Sequence, residues 1–199
     1  MSVKIFGSTG IEFSDSNQEI KIKGSTQTFS LKATTNDEFT VNNAANKLWG
    51  ISSAGLESKP NKPSFRSYIS PESTSIGIYL TAANGVTWVT ATSSNVYNIG
   101  NHFSGGVFTA PIGGIYHFAV MWDGQATTSQ LDLYINETSA IVRWEPTGNA
   151  NNWESFSYST DCFLNVGDYV SLYARGGSGS YPYHMGGGYW GFFAGHFLG

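Results

Sequence analysis

The side chains able to do chemistry in this 199-residue chain are few and scattered. The four histidines, His102, His117, His184 and His196, have no metal-ligand spacing with one another or with Cys162, the single cysteine. His117 and His196 fall in predicted strands, where packing or an interface accounts for them. Asp123, Asp132, Asp161 and Asp168 carry oxygens suited to calcium, yet no acidic loop has calcium-binding spacing. A pair of carboxylates is the machinery of glycoside hydrolysis. Glu137, Glu145 and Glu154 are the loop-proximal candidates, and nothing in their spacing singles out a pair. Gly176-Gly177-Ser178-Gly179 lacks the Lys-Ser/Thr and the helix of a phosphate-cradling loop. The chain therefore reads as a non-enzyme, with no catalytic residue, no metal and no cofactor.

What remains is recognition chemistry. The loop between Arg175 and Tyr189 mixes flexible glycines with Tyr181, Tyr183, His184 and Met185. Loop tyrosines stack on sugar rings and donate hydrogen bonds, so these four residues are the expected receptor-binding set, with a surface glycan as ligand. The alternative is a structural loop whose tyrosines pack on a neighbouring subunit. Trp144 and Trp153 flank a polar loop, Glu145 to Asn152, and read as core anchors.

The elements that must hold such a loop are strands. Hydrophobic residues make up 40% of the chain and aromatics 15%, enough for a substantial core, while charged residues are only 12%. That balance excludes a disordered chain. Twenty-four glycines, with frequent Ser, Thr and Asn, suit many short strands and turns. A net charge of −4 with thinly spread basic residues argues against nucleic acid, the modest knot at Lys59, Lys62 and Arg66 notwithstanding. No apolar run is long enough for a membrane helix, and Met-Ser-Val-Lys-Ile-Phe-Gly is not a secretory signal. Folding in a cytoplasm is expected. One cysteine excludes an intrachain disulfide framework.

Residues 1 to 51 form short apolar islets at Val3–Phe6, Ile11–Phe13, Ile20–Ile22, Phe29–Leu31, Phe39–Val41 and Leu48–Ile51. Alternation within them predicts a meander of short strands, with one helical turn allowed over Asn43–Leu48. So small an apolar complement hardly buries enough surface alone. Sister copies around a threefold axis are the expected cover, with Ile20 and Ile22 at the subunit contact. Residues 52 to 63 carry a glycine and two prolines and read as a linker. Residues 64 to 199 follow as the larger domain. Its predicted strands are Ser64–Ile69, Ile76–Thr81, Val86–Ala91, Val96–Ile99, Ile115–Trp122, Gln130–Asn136, Ala140–Trp144, Glu154–Leu164, Tyr169–Arg175 and Tyr189–Leu198. Pro111, Gly113 and Gly114 predict a corner at which the chain leaves one sheet and enters another. The closing strand is apolar on both parities. Tyr189, Phe193 and Phe197 on one side are the expected trimer-interface residues, and Trp190, Phe192 and Leu198 lie on the other.

Asn98, Phe103, Phe108, Gly114, Tyr116 and Phe118 together resemble the signature of the C1q-like (C1q/TNF) jelly roll. The chain departs from that pattern in a short Phe103–Phe108 spacer, Val120 in place of an aromatic, and no leading Phe near Thr92. Leu131–Asn136, Gly167–Leu172 and Tyr189–Leu198 resemble further strands of the family, so the likeness runs from Ser64 to Gly199. It implies an all-β jelly-roll sandwich and a homotrimer, and some members of the family hold calcium near the axis. The run from Ala54-Gly55 through Pro60, Pro63 and Phe65 to Tyr68 resembles structural proteins of tailed phages. The two likenesses together imply a virion protein, a trimeric short fibre or spike. Its head binds a host-surface receptor, and its N-terminal region attaches to other virion proteins. Capsid decoration and a secreted C1q-like lectin are the alternatives.

Overall fold

The computed structural model describes residues 19–23, 28–33, 39–43, 46–51, 57–59, 61–70, 73–74, 77–90, 93–125, 129–145, 153–176, 183–185 and 190–199. The chain divides into two compact units, Met1–Asn61 and Lys62–Gly199.

The first unit contains an antiparallel meander of β1 (Glu19–Lys23), β2 (Thr28–Ala33), β3 (Phe39–Asn43), β4 (Asn46–Ile51) and β5 (Glu57–Ser58), paired in chain order. Register explains why these islets pair. Ile20, Leu31, Val41 and Trp49 fall in one cross-strand row. Two expectations are corrected here. The helical turn allowed over Asn43–Leu48 gives way to strand: Asn43 ends β3 and Asn46–Leu48 open β4, in which Trp49 and Ile51 pair in register with Val41 and Phe39. Within the expected linker, Glu57 and Ser58 pair with Ile51 and Gly50, since neither proline falls at those positions. The islets at Val3–Phe6 and Ile11–Phe13 lie outside the described residues.

The second unit is a two-sheet sandwich. Its strands are β6 (Ser64–Ser67), β7 (Ser73–Thr74), β8 (Ile78–Tyr79), β9 (Tyr97–Ile99), β10 (Phe103–Ser104), β11 (Val107–Thr109), β12 (Gly114–Gln125), β13 (Ser129–Ile135), β14 (Ser139–Trp144), β15 (Trp153–Leu164), β16 (Tyr169–Gly176), β17 (Tyr183–His184) and β18 (Phe192–Phe197). One sheet runs β10-β11-β16-β13-β14, with β8 also on β16. The other runs β7-β17-β12-β18-β6-β9, with β15 on the free side of β12. The corner at Pro111–Gly114 does what its residues predict: β11 belongs to the six-stranded sheet and β12 to the seven-stranded one. A side chain at Gly114 would collide with the Phe197 ring and the Gly199 carbonyl, so only glycine opens β12 there.

The core lies between the sheets and is dense in aromatic rings. Tyr116, Phe118, Val120 and Trp122 alternate inward along β12, all fully buried. Phe65 stacks on Phe103 at 4.3 Å between centroids and takes Phe193 edge-on at 5.0 Å, which ties β6 and β18 to β10 across the sandwich. Asn98 fixes the approach to β10. Its Nδ2 donates to the Phe103 carbonyl at 2.7 Å, and the Phe103 N–H donates to its Oδ1 at 3.1 Å. Of the predicted strand Val86–Ala91, the described residues 86–90 carry one bridge, between Trp88 and Ile69. The Trp88 indole N–H donates to the Leu80 carbonyl at 2.7 Å.

Candidate functional site

Inward alternation along β12, β15 and β18 dictates what the outer face of the seven-stranded sheet carries. Register arranges that face in rows. The first is Phe163–Ile115, continued by Leu198, whose N–H donates to the Ile115 carbonyl at 2.8 Å. The second runs Asp161–His117–His196–Ser64–Ile99. The third runs Ser159–Ala119–Ala194–Arg66–Tyr97. Phe163 is 62% exposed, Ile115 47% and Leu198 44%. Three adjacent apolar side chains so open to solvent on a regular sheet mark an interaction surface better than isolated exposed residues do.

The second row supplies polarity at the middle of this face. His117 Nδ1 lies 2.6 Å from an Asp161 carboxylate oxygen, and the His117 and His196 rings are 5.2 Å apart. Burial, then the charges of His117 and Lys62, push His196 below the ordinary histidine value, with Asp161 acting the other way. The Arg66 guanidinium lies 3.8 Å over the Phe192 ring. Cys162, whose neighbour Asp161 faces this surface, is half-buried. Burial, reinforced by Asp161, pushes its thiol up to about 11.

The expected site residues fall elsewhere or outside. Phe193 is fully buried in the core of its own chain and is not available to a partner. Phe197 is half-buried with its ring 5.1 Å from Tyr116. The parity of the closing strand is thus the reverse of the expectation. Its odd positions face the core, and Phe192, Ala194, His196 and Leu198 face out, because Gly195 sits against Phe118 and Phe65. Met185 is fully buried, so it serves the core and not a ligand. Tyr183 and His184 form β17, which pairs with β7 and with Asp123 of β12. Tyr181 and Tyr189 lie outside the described residues. Ile20 and Ile22 are in β1. Trp144 is buried in the core, as an anchor should be.

The aspartates do not converge. Asp123 accepts from Ser155, and Asp161 meets His117. Asp132 is held by two arginines. Asp168 accepts from Asn136 Nδ2, the Asn165 N–H and Asn165 Nδ2, and these donors hold its carboxyl below the usual range. Among the described residues no group of three His, Cys, Asp or Glu is placed to hold a metal ion. Glu137 lies in the turn after β13, while Glu145 follows β14 with a carboxylate oxygen 3.8 Å from Arg143.

No family model matches this chain, and no curated protein does. Among solved structures, the globular domain of zebrafish complement 1qA protein is similar, with a TM-score of 0.51 and 18% sequence identity. The match covers 69% of this chain and 98% of that domain, more of the chain than the first unit could supply. The likeness concerns the fold, and with the two-sheet topology it identifies the chain as bearing a C1q-like jelly-roll sandwich.

Proposed function

We propose that this protein is a trimeric virion component of a tailed phage, a short fibre or spike whose C1q-like unit binds a host-surface glycan non-covalently. The observation that carries the reading is the open row Phe163–Ile115–Leu198 on the seven-stranded sheet. Two sister copies around a threefold axis are the cover proposed for it, the ring closing through a heterologous contact. Three heads on one stalk then turn weak glycan contacts into firm attachment through effective concentration. The run Ala54–Tyr68 and the first unit's row Ile20–Leu31–Val41–Trp49 support a virion-attached stalk.

The test is retention of labelled protein on host cells. Wild type should be retained, and Phe163→Glu, which places a charge in the apolar row, should lower retention by about tenfold or more through lost avidity. Equal retention of both proteins would contradict a trimeric adhesin.

A further inference from the structure

The row Asp161–His117–His196 brings together three side chains that the linear sequence keeps apart. His117 on β12 pairs directly with His196 on β18 and, on its other side, with Asp161 on β15. Tyr116 and Phe118 on either side of His117 are fully buried, so alternation directs the His117 ring to the outer face of the sheet. His117 keeps 31% of its side chain open and Asp161 57%, and His196 is exposed. An ion in solution therefore reaches the pair without a channel.

The contact with Asp161 decides which nitrogen of His117 is free. Nδ1 lies 2.6 Å from the carboxylate oxygen, so Nδ1 carries the proton and Nε2 keeps its lone pair. The two nitrogens of an imidazole point to nearly opposite sides of the ring. With Nδ1 turned to β15, Nε2 is turned toward β18, where His196 stands. The two ring centroids are 5.2 Å apart. Two imidazoles that share one tetrahedral ion, each nitrogen about 2.0–2.1 Å from it, place their centroids about 5 Å apart. A carboxylate on the second nitrogen of a ligating histidine is the common outer support of a zinc site. Burial, then the charges of His117 and Lys62, hold His196 below the ordinary histidine value, so its ring is neutral and able to ligate at neutral pH. Lys62, whose Nζ donates to the Leu198 carbonyl at 3.4 Å, opposes a bound cation, and the Asp161 carboxylate offsets it.

We infer that His117 and His196 form a binding site for a divalent transition-metal ion of the zinc class, with Asp161 positioning the His117 ring. Imidazole nitrogens suit zinc, copper and nickel, whereas calcium and magnesium take oxygen ligands. One chain supplies two ligands, in keeping with the lack of any group of three among the described residues, and water fills the remaining positions in a single chain. The pair serves as a metal site whether or not the apolar row beside it meets sister chains.

The experiment is calorimetric titration of zinc chloride into the full-length protein, free of any histidine tag, with calcium chloride as the control ion. The expected result is zinc binding without calcium binding. His117→Gln and His196→Gln should each weaken it about tenfold or more, and His102→Gln should leave it unchanged. Asp161→Asn should weaken it about tenfold, and Asp161→Glu should restore it. The ring-nitrogen resonances of His117 and His196 should move on addition of zinc while those of His102 stay, a readout that needs no variant. No zinc bound at sub-millimolar concentration, calcium bound as well as zinc, or movement of His102 in place of the pair would each overturn the assignment. So would His117→Gln and His196→Gln binding like wild type. Asp161→Asn binding like wild type would overturn the positioning role of Asp161.

Discussion

Asn98 shows how a single side chain substitutes for a strand partner. Its amide gives and takes one hydrogen bond with the backbone of Phe103, fixing where that ring enters the core. Ser171 is the opposite case, a buried hydroxyl with nothing to bond. An unmet buried hydroxyl costs about 1–3 kcal/mol, whereas losing partners strands the groups they served. The two substitutions should therefore differ in sign. Asn98→Ala lowers stability by about 1–3 kcal/mol, and Ser171→Ala leaves it unchanged or raises it. Urea unfolding followed by tryptophan fluorescence measures both, and similar losses in the two variants would refute the assignment. Asn98 was legible through the resemblance to the C1q-like signature, in which it stands with Phe103 and Phe108. Phe193 was not legible as a core residue. Both parities of the closing strand are apolar, so alternation alone cannot say which side faces in.

At the scale of elements, the long strands carry their own evidence and the short ones do not. The apolar run over Ile115–Trp122 and the pattern over Glu154–Leu164 predict strands, and the structure extends each to twelve residues as β12 and β15. Two-residue strands such as β7, β8 and β17 show no period, and their pairing is set by neighbours. Hence Tyr183 and His184, expected on a recognition loop, lie in a strand. The row Asp161–His117–His196 follows from register, which a linear reading cannot supply. It has a pH signature. His196 is held below its ordinary value of 6.5, by burial first and by His117 and Lys62 next. Above 6.5 it is neutral in both folded and unfolded chains and adds no pH dependence. As pH falls through 6.5 the unfolded chain takes up the proton first, so stability is lost until the folded value is passed. Melting temperature should fall with pH in that window, and His196→Gln should flatten the fall. An unaltered slope in the variant would show that His196 does not titrate as its surroundings require.

The whole molecule joins a small sheet unit to a sandwich with two dissimilar outer faces. The seven-stranded sheet presents Phe163, Ile115 and Leu198; the six-stranded sheet presents tyrosines and arginines. On the proposed function, the apolar face is the one that meets sister chains. The sandwich class and the corner at Pro111–Gly114 were legible because proline and glycine break ladders wherever they stand. The faces were not, because exposure is decided by packing between residues distant in sequence. The central claim is that the apolar face joins three chains, and sedimentation equilibrium of the full-length protein at micromolar concentration tests it most directly. Wild type should sediment at three times the 21.5 kDa chain mass and Phe163→Glu at a lower mass. A wild-type mass near 21.5 kDa, or a trimer indifferent to Phe163→Glu, would contradict the account.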